Sequence, residues 1–346
     1  MRYIVSAICL AIATIAPAAM AQIPQAEIAS ASLADLPNDL MAAIQQRDVI
    51  QILAVNGTEV VDGQILSVNE LIVQPGGTIE FANMDYPWIA IMADRMRIVD
   101  PLASTTIRRN LEIVPQHGAN GAKGANGSQG RNGGNGHRTG DRGGNGAIGG
   151  NGVPGQTKKI PTLYLIAGSV ENARTGQALQ SLDIAYNFPG IDGGNGGNGG
   201  NGGVGGGGGR GQNGSTGFPQ GCRRGPGGGG NGGNGGAGGN GASNAPGSDG
   251  AKLVFISTRQ GVDALSLGNI QNIGGKSGKP GAAGKAGRGG GLGGSGAYPA
   301  PCSRNSSGAD GRRGRDGSPG VAIQADGKRG KVEAIILDDI ATLFDS

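Results

Sequence analysis

From Gly118 onward glycine returns at every third residue, and the phase of that return constrains the chain more than any other feature. It holds from Gly118 to Gly136, resumes from Gly140 to Gly155, and runs again over Gly190–Gly217, Gly229–Gly241, Gly275–Gly296 and Gly308–Gly320. A backbone of polyproline-II type has three residues per turn, so residues three apart share a face. Glycine on that face leaves it bare, and a second backbone can approach until N–H and C=O groups pair. Collagen does this with three chains; antiparallel polyglycine-II rods can do it within one. The breaks hold turn residues and are followed by runs of matching phase, and the stretch from Gly193 to Gly209 has no proline. Both features favour rods over a triple helix, whose stiffness depends on proline. Disorder is the third possibility, because 75 glycines in 346 residues and 3% aromatics leave little apolar area to offset backbone entropy.

The runs fall into three pairs, spanning 118–155, 190–250 and 275–330. A β-like lead precedes each pair and a stronger strand follows it: PTLYLIAG from Pro161, KLVFIS from Lys252 and VEAIILDD from Val332. Upstream, residues 49–117 contain short branched-residue stretches between turns, after a lead with one short helix in 22–48. The expected class is a mostly β base, a short β-solenoid or sandwich, carrying three long antiparallel polyglycine-II hairpins with little α-helix. Gly193–Gly209 and Gly227–Gly241 are mostly GGN triplets with two bare faces, which puts the second hairpin in the middle. Asn195, Asn198, Asn201, Asn231 and Asn234 are then expected to form an outward ladder.

Arg2, the apolar run Tyr3–Ile15 and the small residues before Gln22 read as a secretory signal peptide over 1–21, and an exported, periplasmic or cell-surface protein is expected. Cys9 leaves with that segment, and the remaining pair, Cys222 and Cys302, is expected to form a disulfide.

Enzyme chemistry finds no purchase. His117 and His137 have no cysteine or carboxylate cluster at ligand spacing and read as solvated turn residues. No cofactor, metal or nucleotide is expected. One cluster stands out: Arg138, Arg142, Phe218, Arg223, Arg224, Tyr298, Arg304, Arg312 and Arg313 lie in or near the turns. Aligned hairpins would gather them at one distal end as a basic surface with aromatic area, suited to an anionic glycan or a cell envelope.

The GGNGGNGGAGGNG run resembles the PGRS repeats of mycobacterial surface proteins, and the phased runs are similar to the polyglycine-II bundles of the snow-flea antifreeze protein and of phage tail-tip adhesins. The triplet count also resembles bacterial collagen-like proteins. The likeness spans about Gly118 to Gly330 and implies a non-enzymatic scaffold or adhesin-like binder, with an ice-binding protein and a collagen-like trimer as alternatives.

Overall fold

The computed structural model describes residues 27–345 except 31, 135–137, 178, 180–182 and 220. The signal-peptide segment and His137 lie outside the described residues. Strands β1 (Glu27–Ser30), β2 (Ile50–Val55), β3 (Thr58–Val61), β4 (Ile65–Val73), β5 (Thr78–Phe81), β6 (Trp88–Ile98) and β7 (Thr105–Arg109) precede the first glycine run. Between runs lie β8 (Thr162–Asn172), β9 (Ile184–Asn187), the short distal pair β10 (Ser215–Gly217) and β11 (Gly221–Arg224), β12 (Leu253–Ser257), β13 (Asn269–Gln271) and β14 (Val332–Ile336).

From β2 on, the strands of the base alternate between two sheets, so the chain winds as a flattened coil. One sheet has seven strands in the order β1-β14-β12-β8-β6-β4-β2, the other five in the order β13-β9-β7-β5-β3. Every ladder in both is parallel. In-register rows fill the space between the sheets: Leu66, Ile91, Leu165 and Phe255 from one side, Ile79, Ile107, Tyr186 and Ile270 from the other. Burying these branched and aromatic side chains is the main favourable term in the base. The outer face of the seven-stranded sheet is covered by α1 (Asn38–Gln45), where Leu40 and Ile44 pack with Trp88, Met92, Ile166, Ile256 and Leu343. Trp88 donates its indole N–H to Asp39 at 2.7 Å, and Arg47 donates to Leu343 O at 2.9 Å, tying the two ends of the described chain together.

Each glycine excursion leaves from the five-stranded sheet and returns to start the next strand of the seven-stranded one. The legs are 118–133 and 140–156, 190–214 and 227–251, 275–297 and 306–330. Outgoing legs bond side by side in the same direction: Gly121 N–H to Asn198 O and Gly199 N–H to Ala282 O, both at 2.8 Å. Return legs do likewise, as in Gly146 to Asn234 O and Gly235 to Arg312 O, both at 2.8 Å. Between the two layers the legs run in opposite directions, as in Gly150 to Ala122 O at 2.7 Å and Gly236 to Gly203 O at 2.8 Å. The legs of the second excursion are each bonded to four others, which their two bare faces permit.

This corrects the expected class. The regular structure is two all-parallel sheets of seven and five strands, and the one antiparallel strand pair among the described residues is β10–β11. The glycine legs contain no long strands and are not three self-contained antiparallel hairpins standing on a sandwich or solenoid base. With glycine on more than one face, a leg bonds around its circumference to neighbouring excursions as well as to its own return, so the unit is a six-leg, two-layer bundle. The short helix expected within 22–48 is α1, with Pro37 as the residue before its first turn.

Glycine is used here for space. Among the described glycines only Gly76 (φ +76°) and Gly176 (φ +67°) occupy the left-handed region, and both lie in turns of the coil. In the bundle a Cβ at Gly203 would sit 1.8 Å from Ala125 O, and one at Gly233 would sit 1.9 Å from Gly144 O.

The asparagines have a second duty. Their side chains are on the outer faces, yet Asn195, Asn198 and Asn201 use Oδ1 to accept from the N–H of Lys279, Ala282 and Lys285 at 2.7–2.9 Å. Asn231 and Asn234 accept from Ala309 and Arg312 at 2.8 and 2.9 Å. The ladder is therefore a set of lateral staples that engage the outward N–H groups for which the bundle has no further leg. Asn198→Ala is expected to cost about 1 kcal/mol and to raise amide exchange at Ala282. Unchanged exchange there would show the staple to be without effect.

Candidate functional site

At the far end of the bundle the second and third excursions turn. Ser215–Gly217 and Gly221–Arg224 form a two-stranded ribbon, with Thr216 opposite Cys222 and an irregularity between Ser215 and Thr216. Cys222 is bonded to Cys302, with the Cα atoms 4.9 Å apart, so the two turns are covalently joined. The Phe218–Pro219 and Ala300–Pro301 peptides are both cis. Asn305 donates to Pro226 O at 3.1 Å, and Gly214 N–H donates to Ala297 O at 2.8 Å, so the joined turns are also bonded backbone to backbone.

Three features mark this end. Phe218 is fully exposed, at 102% of its reference area, and Tyr298 is half exposed. Among the described residues these are the only exposed aromatic side chains; Tyr86, Tyr164 and Phe344 are partly buried, and Phe81, Tyr186, Phe188 and Phe255 are wholly buried in the base. The Arg304 guanidinium lies over the Tyr298 ring, 5.8 Å from its centroid, in the geometry of a cation–π contact. Between the turns lies a cleft of about 490 Å³ lined by Thr216, Gly217, Phe218, Ala300 and Pro301. Arg223 is exposed, whereas Arg224 is half-buried and its Nε has no hydrogen-bond partner.

The structure thus places Phe218, Arg223, Arg224, Tyr298 and Arg304 on the joined turns. Arg138 is beside them, its carbonyl accepting from Gln212 N–H at 2.9 Å. Arg142, Arg312 and Arg313 lie further along the bundle toward the base: Arg312 N–H is held by Asn234 Oδ1, and Arg313 pairs with Asp316 at 2.9 Å. The Ala286 N–H donated to Asp316, together with the nearby cations Arg313 and Lys285, holds that carboxyl below the usual carboxylate range. His117 accepts from Asn195 N–H through Nδ1 at 3.0 Å, acting as one more lateral staple.

A second open groove of about 500 Å³ lies at the base, lined by Met84–Pro87 and Thr157–Ile160, but its Lys158 is already paired with Asp85 at 2.9 Å. The bundle is seated on the base by Arg109, whose buried guanidinium donates to Asn110 O and Pro189 O at 2.6 and 2.8 Å, where the second excursion leaves the coil. Burial pushes the Arg109 pKa down.

Among the described residues no three His, Cys, Asp or Glu side chains are grouped to hold a metal ion, and no helix is long and apolar enough to cross a membrane. Neither the cleft nor the cation–π pair was legible in the sequence: the cleft joins residues some eighty positions apart, and the pair, six positions apart, depends on how the third turn folds back on itself; the signal that could find them is two aromatics in a chain poor in aromatics, each near a cysteine. Compared with protein-family models, with curated proteins and with solved structures, the chain matches none.

Proposed function

We propose that this is an exported, non-enzymatic binding module whose glycine bundle presents a disulfide-fixed tip to an anionic glycan or cell-envelope surface. The observation that carries the reading is the location of Phe218 and Tyr298: the exposed aromatic area is concentrated on two joined turns, with Arg223 and Arg304 beside it. Leaving a Phe side chain wholly in water forgoes about 1.5–3 kcal/mol of burial, which contact with the apolar face of a sugar would recover. Guanidinium groups pair with carboxylate, sulfate or phosphate on the same ligand. Rigidity at the tip limits the entropy lost on binding. The disulfide fits an oxidising compartment, consistent with removal of 1–21 on export.

The other readings are less well supported. An ice-binding face of free asparagine amides conflicts with the engagement of their Oδ1 atoms by neighbouring legs. A collagen-like trimer would need glycine N–H groups that are already bonded within one chain.

The test is attachment of the disulfide-bonded protein to an immobilised acidic polysaccharide. Phe218→Ser with Arg223→Ser and Arg304→Ser is expected to lower attachment at least tenfold with almost no change in melting temperature, and parent attachment should weaken between low and physiological salt. A parent that binds no acidic glycan, or a triple variant that binds as the parent does, would sink the proposal.

A further inference from the structure

The two broad faces of the bundle are not alike. On the outgoing-leg face, rows of outward residues run across three legs and are defined by the staples: Asn120 Oδ1 holds Asn198 N–H at 2.8 Å, and Asn198 Oδ1 holds Ala282 N–H at 2.7 Å. Down the third outgoing leg these rows present Lys276, Lys279, Ala282, Lys285 and Arg288 at three-residue steps, all exposed. Lys123 and Arg210 add cations from the other two legs of the same face. None of these six cations forms an ion pair among the described residues. The one acid in the outward positions of this face is Asp192, whose Oδ1 is taken by Lys276 N–H at 2.7 Å. Asp310, Asp316 and Asp326 are turned to the flank of the same leg, where they hold the N–H groups of Leu292, Ala286 and Ser277. The return-leg face has Arg142, Arg312, Arg315 and Lys328 in its outward positions, scattered over two legs and not in one unbroken column, and exposes Ile148 and Val321 at 71% and 73%.

We infer that the outgoing-leg face is a second binding surface, for a linear acidic polysaccharide laid along the third outgoing leg. It shares with the tip proposal only the chemical class of the ligand. Residues three apart on such a leg are separated by ~9 Å, three times the ~3.1 Å rise. A nucleic-acid strand carries a phosphate every 3.4 Å along its axis, about three charges for each cation of the column. A polysaccharide with one carboxylate per disaccharide is charged far more sparsely, closer to the column's own step. The adjacent asparagine column supports the assignment. Because Oδ1 of Asn195, Asn198 and Asn201 is fixed to a backbone N–H, each amide presents its Nδ2 donors in a set direction, where sugar hydroxyls and carboxylates can accept from them. Straight, stapled legs hold the charges in line, so little ordering accompanies binding.

The experiment measures binding of the full disulfide-bonded protein to hyaluronate at low and physiological salt, with double-stranded DNA of equal total charge as comparator. Lys279→Ser with Lys285→Ser and Arg288→Ser is expected to weaken hyaluronate binding at least tenfold and to flatten its salt dependence. The melting temperature should hold, since the backbone staples remain. Arg223→Ser with Arg304→Ser is expected to weaken binding as well, by a separate factor, because a chain of many disaccharides reaches both surfaces. Loss confined to the tip variant would overturn the second surface while leaving the tip proposal standing; loss confined to the column variant would do the reverse. No binding by the parent, or tighter binding to DNA than to hyaluronate, would also overturn the inference.

Discussion

Gly290→Ala is expected to destabilise the protein by about 3 kcal/mol or more, while the same change one residue later, Gly291→Ala, is expected to be neutral or slightly stabilising. The two glycines differ only in what stands opposite. A Cβ on Gly290 would lie 1.9 Å from Gly206 O and 2.4 Å from its carbonyl carbon, and these are backbone atoms of a leg held on four sides. Relief requires moving a leg by more than an ångström. That loosens Gly290 N–H from Gly233 O and Gly311 N–H from Gly290 O, both now 2.8 Å, and strands buried groups at about 1–3 kcal/mol each. A Cβ on Gly291 meets nothing within 4 Å, its φ is outside the left-handed region, and losing glycine's freedom in the unfolded chain favours the fold by about 0.4–1 kcal/mol. Thermal melts of the two single variants decide the matter. Equal shifts would mean that the legs are not packed backbone to backbone.

Cys222→Ser with Cys302→Ser should lower stability by about 4 kcal/mol on the chain-entropy account, because the bond closes a separation of 80 residues that reopens in the unfolded chain. A melting temperature lower by roughly 10 °C is expected, and reduction of the parent by dithiothreitol should reproduce it. The variant should also lose attachment through the tip, since Phe218 and Arg304 are then carried on turns no longer joined. A shift under about 2 °C with attachment intact would show that the backbone contacts at Gly214 and Asn305 suffice to align the turns.

The triplet phase was readable because a period of three is written locally, and the strands that follow each run announce themselves by their branched residues. The parallel pairing was not, because Leu165 and Phe255 are neighbours in the sheet yet ninety positions apart, and nothing near either residue specifies the other. Residues 49–117 supply only some strands of the base, and β8, β12 and β14, the strands that follow the glycine runs, supply the remainder of the seven-stranded sheet together with β1. Asn198 illustrates the limit at the level of a side chain. Its outward position follows from the glycine phase, but whether its amide faces water or the N–H of Ala282 depends on the offset between two legs 84 residues apart. Among the tip residues, Cys222 and Cys302 point to each other by elimination, whereas the separation of Arg312 and Arg313 from the tip emerges only once the lengths of the legs are fixed against one another.

Successive strands of a sheet stand 4.7–4.9 Å apart, so an excursion leaving from each turn of the coil emerges beside the previous one at a spacing where backbone can bond to backbone. Length and width are consequently independent in this design. Adding one triplet to every leg lengthens the shaft without touching the base, while duplicating one turn of the coil adds a complete pair of legs to the shaft's width. An insertion of one or two residues in a single leg does neither and is absorbed where it falls: Gly320 and Gly327 are seven residues apart yet donate to Gly281 O and Gly275 O, six apart, so one extra residue is taken up between them and the leg stays in the bundle. Variation in proteins built this way should therefore come mainly in whole triplets or whole coils, and a natural length change of any other size should mark a local irregularity in a leg.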